Sequence, residues 1–275
     1  MPGNHVNVLL FEVKWMDHPV RNIINRLYVS TIAKDAAETA EAYHLGLELT
    51  EFCTAANMDE CFNVWDEKAR EKMKSGGRYI LHAPFNELFP AAIDPLVLNI
   101  TKKRYKQAFD LARSYHIDRM VAHSGYVPFV YFKEYFVWRS VEFWKEYLSD
   151  KPAGFHILLE NVLEDSPDEL ISIVRGVNDP RFRLCLDMGH ANIARQGITI
   201  EDWTKASIPY LGHVHVHNNN GWPDSHGAPD NGEMDMEALL RLIINGAPEA
   251  TLTLEIRDTC RSSVEWMISK GFTEK

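Results

Sequence analysis

Residues 184–220 hold a dense group of side chains that suit a metal ion. Cys185-Leu186-Asp187-Met188-Gly189-His190 is followed, after a short helical insertion, by His213-Val214-His215-Val216-His217-Asn218. Both pieces are short apolar runs that end in cation ligands. A carboxylate and an imidazole so close in sequence, next to a strand with three histidines, are costly to bury without a positive ion. The chemistry this implies is divalent-metal catalysis, in which the ion polarises a substrate oxygen or acidifies a water. Histidine mixed with carboxylate, without a cysteine pair, suits Zn or Mn first, with Fe also compatible.

The same chemistry recurs at other apolar runs. Ile80-Leu81-His82, Val121-Ala122-His123, Leu158-Leu159-Glu160-Asn161, Leu184-Cys185-Leu186-Asp187 and Thr253-Leu254-Glu255 each close on an imidazole or a carboxylate. Side chains alternate faces along a strand, so His123 shares a face with Val121, Glu160 with Leu158, Asp187 with Cys185 and Glu255 with Thr253. His190 and the Asp224-Ser225-His226 segment add loop candidates. A lone histidine in such a place is more often a hydrogen-bonded core or rim residue, and a lone acid more often a helix cap. A whole series of strand ends with the same chemistry fits that bland reading poorly.

The elements that must position these groups are short strands alternating with amphipathic helices. Strand candidates begin near Leu27, Gly46, Arg78, Arg119, Phe155, Phe182, Gly212 and Ala250. Between them, Asp35–His44, Met58–Lys74, Leu96–Tyr115, Val130–Leu148, Pro167–Arg175 and Met234–Ile244 carry apolar residues at three- and four-residue spacing, which predicts helices with one buried face. Asp94-Pro95 and Ser166-Pro167 read as an N-cap followed by a first-turn proline. Such repeated βα units predict a single closed parallel α/β barrel over 26–275, with residues 1–25 as an N-terminal extension. Residues 5–13 are a further strand candidate that the barrel does not need. In a barrel of this kind the loops after the strands build the active site.

At 275 residues the chain is long enough for one large core. Its 45% hydrophobic and 25% charged content is that of a globular protein. The formal net charge of −10 speaks against a broad phosphate-binding surface, so nucleic acid is not the expected partner. The sequence shows neither a signal-peptide pattern in Met1–Arg26 nor an apolar run long enough to span a bilayer. With four scattered cysteines, this predicts a cytoplasmic protein with reduced thiols and no membrane partner.

LLEN at 158–161, CLDMGH at 185–190 and HVHNNNGWPDSHGAPDNGE at 215–233 resemble the xylose isomerase-like TIM-barrel superfamily. That group contains sugar phosphate isomerases and epimerases as well as AP endonuclease family 2, endonuclease IV. The resemblance covers roughly residues 27–270, with Asp230-Asn231-Gly232 departing from the usual Gly-Glu-Gly turn. It implies a TIM barrel whose metal core is Glu160, Asp187, His215 and Glu255, the set that the isomerases and epimerases use for one divalent ion. The endonuclease branch holds a trinuclear cluster, and the resemblance supplies a candidate for each further ligand. His82 and His123 would join Glu160 at a second ion, and His190, Asp224 and His226 would hold a third. Within the seventh strand the motif selects His215, while His213 and His217 share its face and stay open as alternatives, with His213 expected deeper as a hydrogen-bonded core histidine.

Two chemistries fit this scaffold. The first, and preferred, is an isomerase or epimerase of a small sugar, keto-sugar or polyol. In it Glu160 and Glu255 move the proton on opposite faces, supported by His190, Asn161, Glu51 and Arg257. The second is phosphoester hydrolysis at a trinuclear cluster, which the number of ligands favours. Against DNA as its substrate, the loops CTAANMDE and NELFPAAID contain no Lys or Arg. Lys102-Lys103-Arg104 falls in a predicted helix, and the aromatic segment Tyr126–Trp144 suits an apolar lid over a small substrate. A third reading is a barrel that binds its metal or a ligand without turnover.

Overall fold

Alternating runs fold into the alternating elements they predict. The computed structural model describes residues 22–75 and 77–274. The strands are β1 (Leu27–Ser30), β2 (Gly46–Leu49), β3 (Tyr79–His82), β4 (Arg119–His123), β5 (His156–Glu160), β6 (Phe182–Asp187), β7 (Leu211–Val216) and β8 (Thr251–Leu254). They are parallel and close in sequence order into a barrel, β1 pairing with β8. Helices α1 (Ala36–Tyr43), α2 (Ala55–Met58), α3 (Phe62–Met73), α4 (Pro95–Ser114) and α5 (Lys133–Leu148) fill the connections of the first half. Helices α6 (Asp168–Val177), α7 (Met188–Ala194), α8 (Ile200–Ser207), α9 (Met236–Gly246) and α10 (Arg261–Ser269) fill those of the second. The strand candidate at residues 5–13 lies outside the described residues, as does most of the expected N-terminal extension.

Local chemistry sets the helix ends. Asp94 caps α4 by accepting from the Leu96 amide, with Pro95 in the first turn, as expected from the sequence. The Ser166-Pro167 reading is off by one residue: Pro167 is itself the cap position, and the helix begins at Asp168. His44 and Asn178 end α1 and α6 in the left-handed conformation, with φ of 56° and 53°.

The helices bury one face each against the outside of the barrel. In α5 that face is Phe136, Ser140, Phe143, Trp144, Tyr147 and Leu148, one stripe at helical spacing. The predicted apolar lid therefore divides. Its helical aromatics Phe136, Phe143 and Trp144 are core, whereas Phe129 and Phe132 in the preceding loop are exposed. Lys102 and Arg104 on α4 pair with Glu146 and Asp59, so the basic cluster is a face that links helices.

Inside the barrel, Tyr28, Ile80, Val121, Leu158 and Cys185 form a separate small apolar layer. Strand alternation puts the next inward residue two positions on, which gives His82, His123, Glu160 and Asp187 at the mouth. Gly46 leaves room for the Tyr28 ring in this layer, since a Cβ there would lie 2.2 Å from it. The apolar floor thus sets the height at which the ionisable ring stands.

Trp144 is fully buried between helix and sheet, its ring 5.2 Å from Tyr105 and 5.4 Å from Phe182. Trp144→Ala is expected to cost about 3–5 kcal/mol, read as a lower urea midpoint. An unchanged midpoint would show that this helix-to-sheet contact contributes nothing to stability.

Candidate metal centre

The mouth of the barrel gathers ligand atoms at the spacing of a coordination shell. His215 Nδ1 lies 3.3 Å from Glu160 Oε1, 3.5 Å from Asp187 Oδ2 and 3.3 Å from Glu255 Oε2. Four N and O ligands placed tetrahedrally at bonds of 2.0–2.1 Å stand about 3.3 Å from one another. Among the described residues, His215 Nδ1 makes no hydrogen bond despite its burial. A buried polar atom left unbonded is costly unless something else satisfies it. The four residues fit a divalent ion.

Two further groups adjoin this one. Glu160 turns its other oxygen, Oε2, to His82 Nε2 at 3.2 Å and His123 Nε2 at 3.3 Å. That oxygen is also buried without a hydrogen bond among the described residues. Asp224 Oδ2 lies 3.3 Å from His190 Nε2 and 2.9 Å from His226 Nε2. His190 Nδ1 in turn sits 3.4 Å from Glu160 Oε1, which ties the third group to the first. All nine residues named from the sequence as ligands therefore converge, in three groups that share Glu160 and its neighbours.

The imidazoles are held for this task by their outer nitrogens. His82, His190 and His226 each place Nδ1 3.0–3.1 Å from a backbone carbonyl, those of Ala83, Asn161 and Glu255. A carbonyl only accepts, so each Nδ1 carries a proton, which turns Nε2 toward the carboxylates as the nitrogen that would bind an ion. His123 is steadied instead by the Phe85 ring, stacked at 4.2 Å.

Other predicted residues serve the site from outside it. Asn161 clamps the end of β6: its amide donates to the Asp187 carbonyl at 2.9 Å and its oxygen accepts from the Asp187 amide at 2.8 Å. Glu51 is held in the rim by Lys72 at 2.7 Å and Thr31 at 2.9 Å. Arg257 is exposed, and its backbone amide donates to the His226 carbonyl. These three are not brought into the ring of ligands.

The structure adds one buried partner that sequence reasoning missed. Glu48 on β2 accepts from His215 Nε2 at 2.9 Å and from Thr253 at 2.6 Å. His213 lies below, among Glu48, Thr251 and Thr253, as the core histidine expected. His217 donates Nε2–H to Asp187 Oδ1 at 3.0 Å. Its ring packs against Gly189, where a Cβ would lie 1.9 Å from it, so the glycine of the CLDMGH motif is a steric requirement. A deeper cluster of Cys185, His213 and His215 also has ligand atoms close together. Burial pushes the Cys185 thiol up to about 12, which keeps it a thiol and a poor ligand.

Electrostatics match the geometry. Burial pushes the Glu160 and Asp187 carboxyls toward neutrality, but the surrounding histidines win and hold both well below the usual carboxylate range. Burial likewise opposes charge on His82, His190 and His215, yet their neighbours outweigh it and raise all three well above the ordinary imidazole value. Those neighbours are Cys53 and Glu160 at His82, Asp187, Asp224 and Glu160 at His190, and Cys185, Glu48, Glu255 and Glu160 at His215. Burial dominates at His123, which is lowered. The pull that holds protons on these rings is the pull that draws a divalent cation.

Farther out, burial lowers His226, but its bond to Asp224 and the nearby Glu255 and Asp187 raise it to about 9. Burial pushes the Asp224 carboxyl up, but its bonds to His190 and His226 win and lower it. A raised histidine stabilises fully below its unfolded value of ~6.5 and loses that contribution as pH rises through about 9. A lowered carboxyl stabilises above its unfolded value of ~3.9 and loses it as pH falls. For chelator-treated protein, the melting temperature is therefore expected to fall between pH ~6.5 and about 9. His226→Ala should flatten that limb. Equal alkaline slopes for both proteins would rule the pairing out.

Known proteins share this architecture. The uncharacterized protein MJ1311 of Methanocaldococcus jannaschii is 25% identical over 259 residues, 85% of this chain and 81% of that one. The TTHB071 protein from Thermus thermophilus, solved after soaking with ZnCl2, superposes with a TM-score of 0.72 at 24% identity, over 89% of this chain and 97% of that one. D-psicose 3-epimerase with D-tagatose from Clostridium cellulolyticum gives 0.66 at 16% identity, over 87% and 89%. At these identities the solved structures speak for the shared barrel. Residues 39–270 match the family described as xylose isomerase-like TIM barrel, AP endonuclease 2, and the chain belongs to that family.

Proposed function

We propose that this protein is a divalent-metal-dependent enzyme with a site built for up to three ions, and that it hydrolyses a small phosphoester. The observation that carries this reading is the second oxygen of Glu160. A glutamate that moves a proton to and from a substrate carbon must turn a free oxygen toward that carbon. Glu160 Oε2 instead faces two imidazoles at 3.2 and 3.3 Å, which supports a role as a ligand shared with a second ion over a role as a proton carrier.

In this reading Glu160, Asp187, His215 and Glu255 hold the central ion. His82 and His123 share Glu160 with a second, and His190, Asp224 and His226 hold the third. Bound divalent ions, Zn or Mn by the nature of the ligands, would supply Lewis acidity toward a phosphoryl oxygen and acidify a water. The chain's own residues orient the group: main-chain carbonyls hold the imidazoles, and Asn161 fixes the position of Asp187. The rim bears exposed Phe129, Phe132 and Trp222, and the net charge of −10 repels a polyanion. Both favour a small substrate over duplex DNA.

A second reading keeps the isomerase or epimerase activity expected from the sequence. The central four residues alone make a coordination shell, and the apolar rim suits a keto-sugar as well as a phosphoester. Glu160 and Glu255 would then be the proton-transfer pair around one ion.

Metal content separates the two. After reconstitution with zinc, elemental analysis is expected to give three ions per chain in the wild type and two in the Asp224→Ala, His226→Ala variant. Asp187→Ala is expected to weaken binding by more than the roughly 10–100-fold typical of an outer-shell change. One ion, untouched by the double substitution, together with turnover on a keto-sugar panel and none on small phosphoesters, would replace the hydrolase reading with the isomerase reading.

A further inference from the structure

Glu48 stands apart from the other acids of the barrel. It is fully buried, its register neighbour on β3 is apolar Ile80, and its carboxylate is hydrogen-bonded by His215, His213 and Thr253, with a ring nitrogen of His82 within 4.8 Å. A carboxylate in such a place is expensive unless each of its oxygens is bonded. Oε1 accepts from His215 Nε2 at 2.9 Å, and Oε2 accepts from Thr253 at 2.6 Å with His213 Nε2 at 3.1 Å. His213 is itself anchored by the Thr251 hydroxyl at 2.6 Å. The whole set belongs to strands β2, β7 and β8 and lies below the mouth, out of reach of substrate.

We propose that Glu48 is the positioning residue that makes His215 a metal ligand through Nδ1. The inference rests on the reading that His215 is a ligand. A carboxylate oxygen accepts, so the bond to Glu48 keeps the imidazole proton on Nε2 and leaves the Nδ1 lone pair directed at Glu160, Asp187 and Glu255. The negative charge behind the ring also makes Nδ1 a stronger donor to a cation. His82, His190 and His226 place their outer nitrogens on main-chain carbonyls at 3.0–3.1 Å, with carboxylates 3.4–3.7 Å from those of His190 and His226, whereas the hydrogen bond of the outer nitrogen of His215 is made to an acid. Thr253 and His213 hold Glu48 at the angle this requires.

The test combines zinc affinity by chelator competition with nitrogen NMR of histidine-labelled, zinc-loaded protein. The wild type is expected to show His215 protonated on Nε2, with a slowly exchanging low-field signal. Glu48→Gln keeps an accepting oxygen but not the charge. It should retain that signal and bind zinc roughly tenfold more weakly, whereas Glu48→Ala should lose the signal and about a hundredfold in affinity. A purely structural role would not move the proton signal in a variant that still folds.

A wild-type His215 protonated on Nδ1, or Glu48→Ala with wild-type zinc affinity, would overturn the proposal. His215→Ala is the control that separates the two layers. If it loses zinc while Glu48→Ala does not, the positioning role alone fails. If it binds zinc as the wild type does, the metal reading of His215 fails first. Should Glu48→Ala not fold, the wild-type proton position and the Glu48→Gln affinity decide.

Discussion

The structure turns on the confinement of like charges. Glu48, Glu160, Asp187 and Glu255 are all buried at or just below one end of the barrel, with Asp224 at the edge. Bare carboxylates at such spacing would repel one another and neutralise. The histidines between them resolve the conflict in part, and a divalent cation bound among them would relieve it further. The barrel is thus a frame that keeps repelling groups close enough to need a common counter-ion. The apolar layer of Tyr28, Ile80, Val121, Leu158 and Cys185 excludes water from below, which keeps the interaction strong.

That constraint also explains the order of roles around the ring. The inner residues come from strand ends, where backbone pairing leaves little freedom: Glu160 is in register with His123 and Cys185, and Asp187 with His215. The outer residues come from the first turn of α7, where His190 sits and not in a loop as its spacing suggested, and from the loop after β7, which carries Asp224 and His226, and they need separate anchors. For the long loop after β7 those anchors are asparagines. Asn218 donates to the carbonyls of Pro229 and Met234, and Asn219 donates to that of Gly189. The unusual Asp230-Asn231-Gly232 turn is accommodated there because Gly232 packs directly on the Asn218 amide.

Much of this was legible in the sequence. Strand alternation and recurrent strand-end ligands pointed to the barrel and to the inward set, because a period of two residues is a local property. The motif resemblance then favoured His215 within β7 but left His213 and His217 open. What stayed hidden depends on contacts between distant strands. Glu48 sits in GLEL, an ordinary apolar strand by pattern, and its meaning arises only when the barrel closes β2 across from β7. Glu51, just beyond the end of the same strand, looked equally available but is taken up by Lys72 on α3. Asn161 looked like a substrate contact because it follows Glu160, yet its amide is spent on the backbone of β6. Side-chain direction at a loop is set by the neighbour that reaches it first, and spacing does not record that.

The two ways of holding an imidazole have different evolutionary consequences. His82, His190 and His226 lean on main-chain oxygens, which every amino acid supplies, so their orientation tolerates sequence drift at Ala83, Asn161 and Glu255 as far as the backbone path persists. His215 leans on a side chain that a single nucleotide change can remove. The site therefore combines three heritable supports that mutation hardly touches with one that it can retune, and the central position is the place where a lineage could adjust metal preference without rebuilding the ring.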